Sequence, residues 1–318
     1  MLFPAFHMQE KTPRGVMSHQ ADSLKSIFFA LGANAAIAAA KLFAAIHTGS
    51  NSMLAEAIHS FADCGNQGLL ILGLKRAKRP PSPDFPLGYG KAIYFWSFIV
   101  ALILFSMGGL FSIYEGIHKL EAHEGLESPW LAVGILAFSI IMESVSLYGC
   151  MREVNKARGN RGLWQWFRDT RQSELIVVLG EDVAALAGLV FALIAVGLAM
   201  ATGDPVYDAA GSIAIGALLV LVAVGIGVEI SALLIGQSVE PETRHAIHNY
   251  LDKCEEIGQV FNLITLQLGS DVMVAVKAKM RRAAEMNEMI ADINRCEAGL
   301  KTSFPQVKWV FFEPDVTD

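Results

Sequence analysis

The chain has 318 residues, of which 53% are hydrophobic and only 18% charged, and its mean hydropathy is +0.42. A soluble domain of that composition would be unusual. The apolar residues also lie in long blocks rather than being spread along the chain, which argues against a soluble protein and indicates an α-helical integral membrane protein.

Six apolar windows are long enough to span a membrane, since a helix needs roughly 20 apolar residues to cross about 30 Å of hydrocarbon. The windows are Ile27–Ile46, Leu54–Leu74, Ile93–Ile117, Trp130–Met151, Leu175–Ala201 and Tyr207–Ile235. They predict a six-helix transmembrane domain over residues 26–236. The polar segment before it, residues 1–25, lacks the pattern of a cleavable signal peptide, so we expect the first span to be retained.

Basic residues are concentrated on one side of this predicted bundle. They precede the first span, follow the second and lie between the fourth and fifth, whereas the opposite loops are acidic or neutral. Positive residues mark the cytoplasmic side, so both termini are predicted to be cytoplasmic. The basic loop also holds Trp164, Trp166 and Phe167, which we interpret as headgroup anchors rather than as an RNA-binding surface.

The last part of the chain, residues 237–318, has a different pattern. It predicts a small cytoplasmic α+β domain of order αββαβ, formed by Pro241–Cys254, Val260–Leu268, Asp271–Lys279, Glu285–Thr302 and Val307–Phe312. Gly269-Ser270 separates the first two strands as a hairpin turn. So small a domain has little core of its own, and we expect it to dimerise.

The four cysteines are Cys64, Cys150, Cys254 and Cys296, and none has the paired spacing of a metal-binding or redox motif. Two fall in predicted membrane spans and two in the cytoplasmic domain, where thiols stay reduced. We therefore predict four free, buried thiols.

Ionisable residues inside the predicted spans are the main functional signal, because such groups are costly in hydrocarbon unless they are paired, solvated or bound to a cation. His59 and Asp63 are four residues apart and so share one helix face. Glu181 and Asp182 form a second pair, which as neighbours cannot share a face. Imidazole and carboxylate ligands suit zinc and other divalent metals. Asn34 and Asn66 are weaker candidates, which fit outer hydrogen-bond partners of the ligands and helix packing equally well. Lys41 can reach the interface or neutralise an acid in the bundle, and Glu143 is a buried acid that can also reach the interface.

Several segments resemble the cation diffusion facilitator family. They are TGSNSMLAEAIHSFAD (48–63), LGYGK (87–91), DAAGSI (208–213) and LLIGQS (233–238). The resemblance covers nearly the whole chain and implies a homodimeric exporter that exchanges Zn²⁺, or Mn²⁺, Fe²⁺ or Co²⁺, for protons. It also implies a tetrahedral transport site, with two ligands from the second span and two from an HxxxD motif in the fifth.

Transferred to this sequence, the resemblance makes His59, Asp63 and Asp182 ligands, with Glu181 or water as the fourth. Val178 stands where a histidine is expected, so the ligand set is richer in oxygen and strict zinc selectivity is not expected. Phe85 and Tyr89 replace a histidine pair in the loop before the third span. The tail strands lack the zinc-binding histidines of relatives and carry Phe261, Val276, Phe311 and Phe312 instead, so we expect a dimer scaffold held by apolar contacts.

The sequence thus predicts a divalent metal/proton antiporter that works by alternating access, with His59 as the exchangeable proton site, no prosthetic group and no nucleic-acid partner. One alternative is a degenerate family member that acts as a scaffold or regulator without transporting. A membrane metalloenzyme is a weaker alternative, because no second histidine motif or nucleophile accompanies the pair. Compactness and the lack of a transit peptide favour the bacterial inner membrane.

Overall fold

The computed structural model describes residues 16–48, 51–122, 129–281 and 285–317, without the side chains of residues 16–23, 48, 122 and 129 and of most residues from 51 to 59. Its first part is helical. The helices are α1 (Val16–Thr48), α2 (Asn51–Ala77), α3 (Ala92–Ile103), α4 (Phe111–Ala122), α5 (Pro129–Arg158), α6 (Leu163–Asp169), α7 (Ser173–Thr202) and α8 (Val206–Ile235). A π-helical segment, Leu104–Leu110, joins α3 to α4.

Five helical segments of the described chain are long and apolar enough to cross a membrane: Leu24–His47, Ala92–Glu121, Trp130–Arg158, Ser173–Thr202 and Val206–Ile235. They match five of the six predicted windows. The remaining window lies in α2, which packs between α1 and α3. With 27 residues, α2 is about 40 Å long and could cross the hydrocarbon, but its polar residues keep it out of the apolar set.

The third span is less regular than the sequence predicts. The π-helical segment contains Gly108 and Gly109, where α8 approaches very closely. A Cβ added to Gly109 would lie 2.6 Å from Val220 Cγ2, and one added to Gly216 on α8 would lie 2.7 Å from the Gly109 carbonyl oxygen. The absence of side chains at these glycines therefore allows the two backbones to touch.

The basic loop folds differently from the prediction at Trp166. Residues Leu163–Asp169 form the short helix α6, and Trp166 is fully buried in the same apolar cluster as Val154 and Leu175. The interpretation of Trp166 as a headgroup anchor is therefore wrong. Trp164, by contrast, is 72% exposed, as a headgroup anchor would be.

The C-terminal domain has the predicted αββαβ order. It consists of α9 (Pro241–Asp252), β1 (Ile257–Leu268), β2 (Asp271–Met280), α10 (Met286–Ser303) and β3 (Val307–Pro314). β2 is the central strand, antiparallel to β1 and parallel to β3. Alternate residues of β2, Val272 to Ala278, are buried against Ile247 and Leu251 of α9 and Leu300 of α10. Both helices thus cover one face of the sheet.

The β1–β2 turn contacts the membrane domain at the start of α3. Gly269, with φ +68°, forms the turn, and the hydroxyl group of Tyr94 accepts a hydrogen bond from its amide at 3.1 Å. A Cβ on Gly90 would lie 1.9 Å from the carbonyl oxygen of Leu268. The glycine of the LGYGK segment therefore permits a backbone-to-backbone contact between the two domains.

We expect Gly90→Ala to loosen this contact, because the new methyl group would collide with backbone that cannot rotate away. Overpacking of this kind lowers the free energy of unfolding by about 1–3 kcal/mol. Thermal unfolding in detergent and the rate of tryptic cleavage measure the change. Gly162→Ala is the matched control, because Gly162 has an extended conformation with no heavy atom within 4 Å of an added Cβ. Equal behaviour of both variants would contradict the contact.

Candidate metal site

Helices α2 and α7 carry the four predicted ligands. His59 and Asp63 lie one turn apart on α2; Asp63 is partly buried, and the side chain of His59 is outside the described residues. Glu181 and Asp182 lie in the first half of α7, 7% and 2% exposed. The predicted membrane site therefore combines an accessible acid on α2 with two enclosed acids on α7.

Both carboxylate oxygens of Glu181 accept hydrogen bonds from amides of α2. Asn66 Nδ2 donates at 3.1 Å and Gln67 Nε2 at 2.9 Å. Gln67 Oε1 in turn accepts a hydrogen bond from Asn34 Nδ2 of α1 at 3.3 Å. These contacts connect α1, α2 and α7 through one buried polar chain.

Asp182 faces a different helix. The Ser146 hydroxyl group of α5 lies 3.1 Å from one carboxylate oxygen of Asp182 and 3.0 Å from the other, so it can donate to either. Adjacent residues of α7 thus contact α2 and α5 respectively, as expected from the turn of about 100° between successive residues of a helix.

Negative charge accumulates around these residues. Asp63, Glu143 and Asp182 are all close enough to Glu181 to interact with it electrostatically. Lys41 of α1 supplies a positive charge that interacts favourably with the Glu143 carboxylate. Several acids facing one small volume in a poorly solvated environment attract a cation strongly. The site is therefore suited to a divalent metal, to protons, or to an exchange between them.

The neighbourhood of Val178 is apolar. Val178 is fully buried in the main apolar cluster of the membrane domain, one helical turn before Asp182. Gly180 allows α8 to approach, since a Cβ there would lie 2.4 Å from Ile226 Cδ1. α7 and α8 are therefore closely packed beside the acidic pair.

The structure brings Asp63, Glu181 and Asp182 near one another, but the side chains that it describes do not form a complete ligand set there. Among the described side chains, a single group of three His, Cys, Asp or Glu ligand atoms lies within 4.8 Å of one another, and it is in the C-terminal domain: Cys254, Glu256 and Cys296. Asp63, Glu181 and Asp182 are neighbours that would have to move to share one ion.

Sequence reasoning missed two members of the site, Gln67 and Ser146. Gln67 follows Asn66 in a helix that already carried the predicted histidine and aspartate. Ser146 lies three residues after Glu143 and so on a similar face of α5. Polar residues at helical spacing from a membrane acid were the available signal, but serine and glutamine alone indicate packing as often as function.

Comparison with known proteins identifies the family. The profile of the cation efflux transmembrane domain matches residues 27–235, well over half of the chain. The chain is a cation diffusion facilitator. This is the family that the motifs of α2, α3 and α8 resemble, and the observed fold, a multi-pass helical bundle followed by a small α+β domain, agrees with it.

Relatives occur in distant organisms. The chain is 36% identical over 231 residues to the proton-coupled zinc antiporter SLC30A9, mitochondrial, of Xenopus laevis, covering 72% of this chain and 41% of the relative. It is 29% identical to metal tolerance protein C4 of Arabidopsis thaliana, covering 77% and 54%. It is 25% identical to magnetosome protein MamB of Magnetospira sp. strain QH-2, covering 71% and 72%. The chain thus spans less than half the length of the first relative.

We expect Ser146→Ala to weaken metal binding at the membrane site, because it removes the hydroxyl group that orients Asp182. Loss of an outer partner of a metal ligand reduces affinity by about 10–100-fold. Ser139→Ala is the matched control: Ser139 is also fully buried on α5, but its hydroxyl group has no partner within the described structure. Metal titration of both purified variants measures the difference, and equal affinities would exclude Ser146 from the site.

Proposed function

We propose that this family member is a secondary active transporter that exports a divalent metal cation in exchange for protons. Zinc is the first candidate, with manganese, iron and cobalt as further substrates, and the transported ion is cargo rather than a prosthetic group. The protein would alternate between inward-open and outward-open states, with α2 and α7 moving against the other helices. The family and the zinc/proton antiporter among its relatives support this proposal.

The observation that carries the proposal is the cluster of acids enclosed between α2, α5 and α7. A scaffold has no need for Glu181 and Asp182 in the middle of a membrane bundle, where each must be supplied with hydrogen-bond donors. A cation transporter does need them, because the same carboxylates can bind metal in one state and protons in another.

We assign His59, Asp63 and Asp182 as ligands of the transported ion, with Glu181 as the fourth. Each Glu181 oxygen accepts one hydrogen bond and retains a lone pair, so it can bind metal without leaving its amide partners. The side-chain oxygen of Asn66 is buried and has no hydrogen-bond partner within the described residues, which offers a further oxygen towards a cation. Water is the alternative fourth ligand.

The C-terminal domain, residues 237–318, would hold two protomers together. Ile264, Ala275 and Phe311 lie in one row across the three strands, on the face that the helices leave uncovered. Ile264 and Phe311 are each 55% exposed, which is a large apolar area for a solvated sheet. Val276, expected at this interface, is buried in the domain core instead.

Both termini would be cytoplasmic. The basic segment before α7 contacts the chain that leads into the C-terminal domain: Arg161 pairs with Glu240 at 2.9 Å, and Arg171 donates to the Ser238 carbonyl oxygen at 2.7 Å. Basic loops and the C-terminal domain therefore share one side, which the positive-inside rule assigns to the cytoplasm. The bacterial inner membrane is our proposed location, although the Xenopus relative is named as mitochondrial.

Transport by purified protein in liposomes tests the proposal. We expect uptake of Zn²⁺, with slower uptake of Mn²⁺, Fe²⁺ or Co²⁺, when a pH gradient is imposed, and its loss in the double variant Asp63→Ala/Asp182→Ala. Dissipating the gradient with a protonophore should abolish uptake in the unaltered protein. Absence of flux of any of these metals from correctly folded protein would favour the non-transporting scaffold instead.

Val178→His should increase the preference for zinc over manganese, because it adds an imidazole one turn before Asp182 and makes the site richer in nitrogen. We expect the ratio of zinc to manganese affinity to rise by at least about tenfold. Removing an outer partner of a metal ligand already changes metal affinity by about tenfold or more, and a new ligand should have at least that effect. Val177→His is the matched control, because Val177 is also fully buried but faces another direction. The same change in both variants would argue against Val178 facing the site.

A further inference from the structure

The C-terminal domain contains a cluster of two thiols and a carboxylate that the membrane site does not involve. Cys254 and Glu256 lie between α9 and the start of β1, and Cys296 lies on α10. Their ligand atoms are all within 4.8 Å of one another, and the Cys296 thiol donates to Glu256 Oε2 at 3.8 Å. Cys254 and Cys296 are separated by 41 residues, so only the fold brings them together.

The distances are close to those of a zinc site. With Zn–S bonds of about 2.3 Å and Zn–O bonds of about 2.1 Å, a tetrahedral ion separates two sulfurs by about 3.8 Å and a sulfur from an oxygen by about 3.6 Å. The observed separation between Cys296 and Glu256 is 3.8 Å. No two of the ligand atoms are more than 4.8 Å apart, so shifts of about 1 Å would bring them to these separations.

The surroundings permit a cation to replace the present partner of Glu256. Arg295 Nε donates to Glu256 Oε1 at 3.2 Å, and Arg295 also contacts Asp292. The Arg295 side chain is 57% exposed, so it can release Glu256 and remain paired with Asp292. Cys254 and Glu256 are both partly exposed, which gives an ion access from solvent, whereas Cys296 closes the inner side.

We propose that Cys254, Glu256 and Cys296 form a mononuclear zinc site within each C-terminal domain. Two thiolates and a carboxylate select zinc over harder ions such as manganese. Three protein ligands leave the fourth position to water, as in zinc sites that exchange a ligand rather than in closed structural sites. The bound ion would fasten α10 to the α9–β1 junction. This site lies within one protomer and has no histidine, unlike the tail sites expected from the family.

Cobalt and zinc titrations of the full-length protein test the site. The background is Asp63→Ala/Asp182→Ala, so that ions at the proposed membrane site do not contribute. We expect Co²⁺ to produce thiolate charge-transfer absorption in the near ultraviolet and Zn²⁺ to bind with one equivalent per chain. Cys254→Ser/Cys296→Ser should abolish both, whereas Cys64→Ser should change neither. Glu256→Gln should keep the absorption and weaken Zn²⁺ binding by at least about tenfold.

A second measurement needs no substitution at the cluster. Zn²⁺ should slow alkylation of Cys254 and Cys296, followed by mass spectrometry, and leave the rate at Cys64 unchanged. Three results would overturn the proposal. The first is alkylation rates that Zn²⁺ does not change, and the second is an equal zinc content in the Cys254→Ser/Cys296→Ser and Cys64→Ser variants. The third is a disulfide between Cys254 and Cys296 in protein whose thiols are blocked at cell lysis. The disulfide would identify the pair as a redox couple.

Discussion

The cost of placing carboxylates inside a membrane bundle determines how the helices of this protein meet. Glu181 and Asp182 would be strongly destabilising without donors, and the structure supplies donors from two different helices, α2 and α5. Adjacent residues of α7 thereby fix its position between both neighbours. The same constraint makes α2 the most polar membrane helix, because its amide side chains donate hydrogen bonds to Glu181 of α7. The low hydropathy of α2 follows from the polar residues that contact α7, and it is not an argument against α2 spanning the membrane.

Backbone-to-backbone contacts and polar contacts lie between different helices of the bundle. α8 is packed against the π-helical segment through Gly109 and Gly216, where backbones touch and sliding is opposed by steric collision. The C-terminal domain is joined to this part of the bundle by the hydrogen bond between Tyr94 and Gly269. Within the membrane domain, Lys91 at the start of α3 donates to the Leu234 carbonyl oxygen near the end of α8 at 3.3 Å. The acids and their amide partners lie instead on α2 and α7. Polar contacts can exchange partners during a conformational change, whereas touching backbones resist sliding. In the proposed transport cycle, α3 and α8 would therefore be the helices that stay fixed relative to each other.

The sequence predicts what depends on periodicity and on local chemistry. The apolar windows, the αββαβ order and the hairpin at Gly269 follow from patterns of fewer than 30 residues. What it does not predict depends on contacts between distant segments. Trp166 lies in a basic loop whose composition is typical of a headgroup anchor. The loop forms α6 instead, and Trp166 is buried in the apolar cluster of the membrane domain. The spacing of Cys254 and Cys296 matches no metal-binding motif. Nothing in the sequence distinguishes Ser146 from other serines, and only the fold places it beside Asp182. Such residues acquire their role from tertiary geometry alone.

Ligand chemistry connects the proposed membrane site with the proposed site in the C-terminal domain. The acids around Asp182, with Val178 in place of an imidazole, form an oxygen-rich set that would accept manganese and iron as well as zinc. Cys254, Glu256 and Cys296 form a sulfur-rich set that disfavours those harder ions. Of the four candidate cargoes, zinc suits both sets best, because it is borderline in softness and has no geometric preference from its d electrons. If the same cytoplasmic metal binds at both sites, the sulfur-rich site favours zinc, whereas the membrane site would accept any of the four metals.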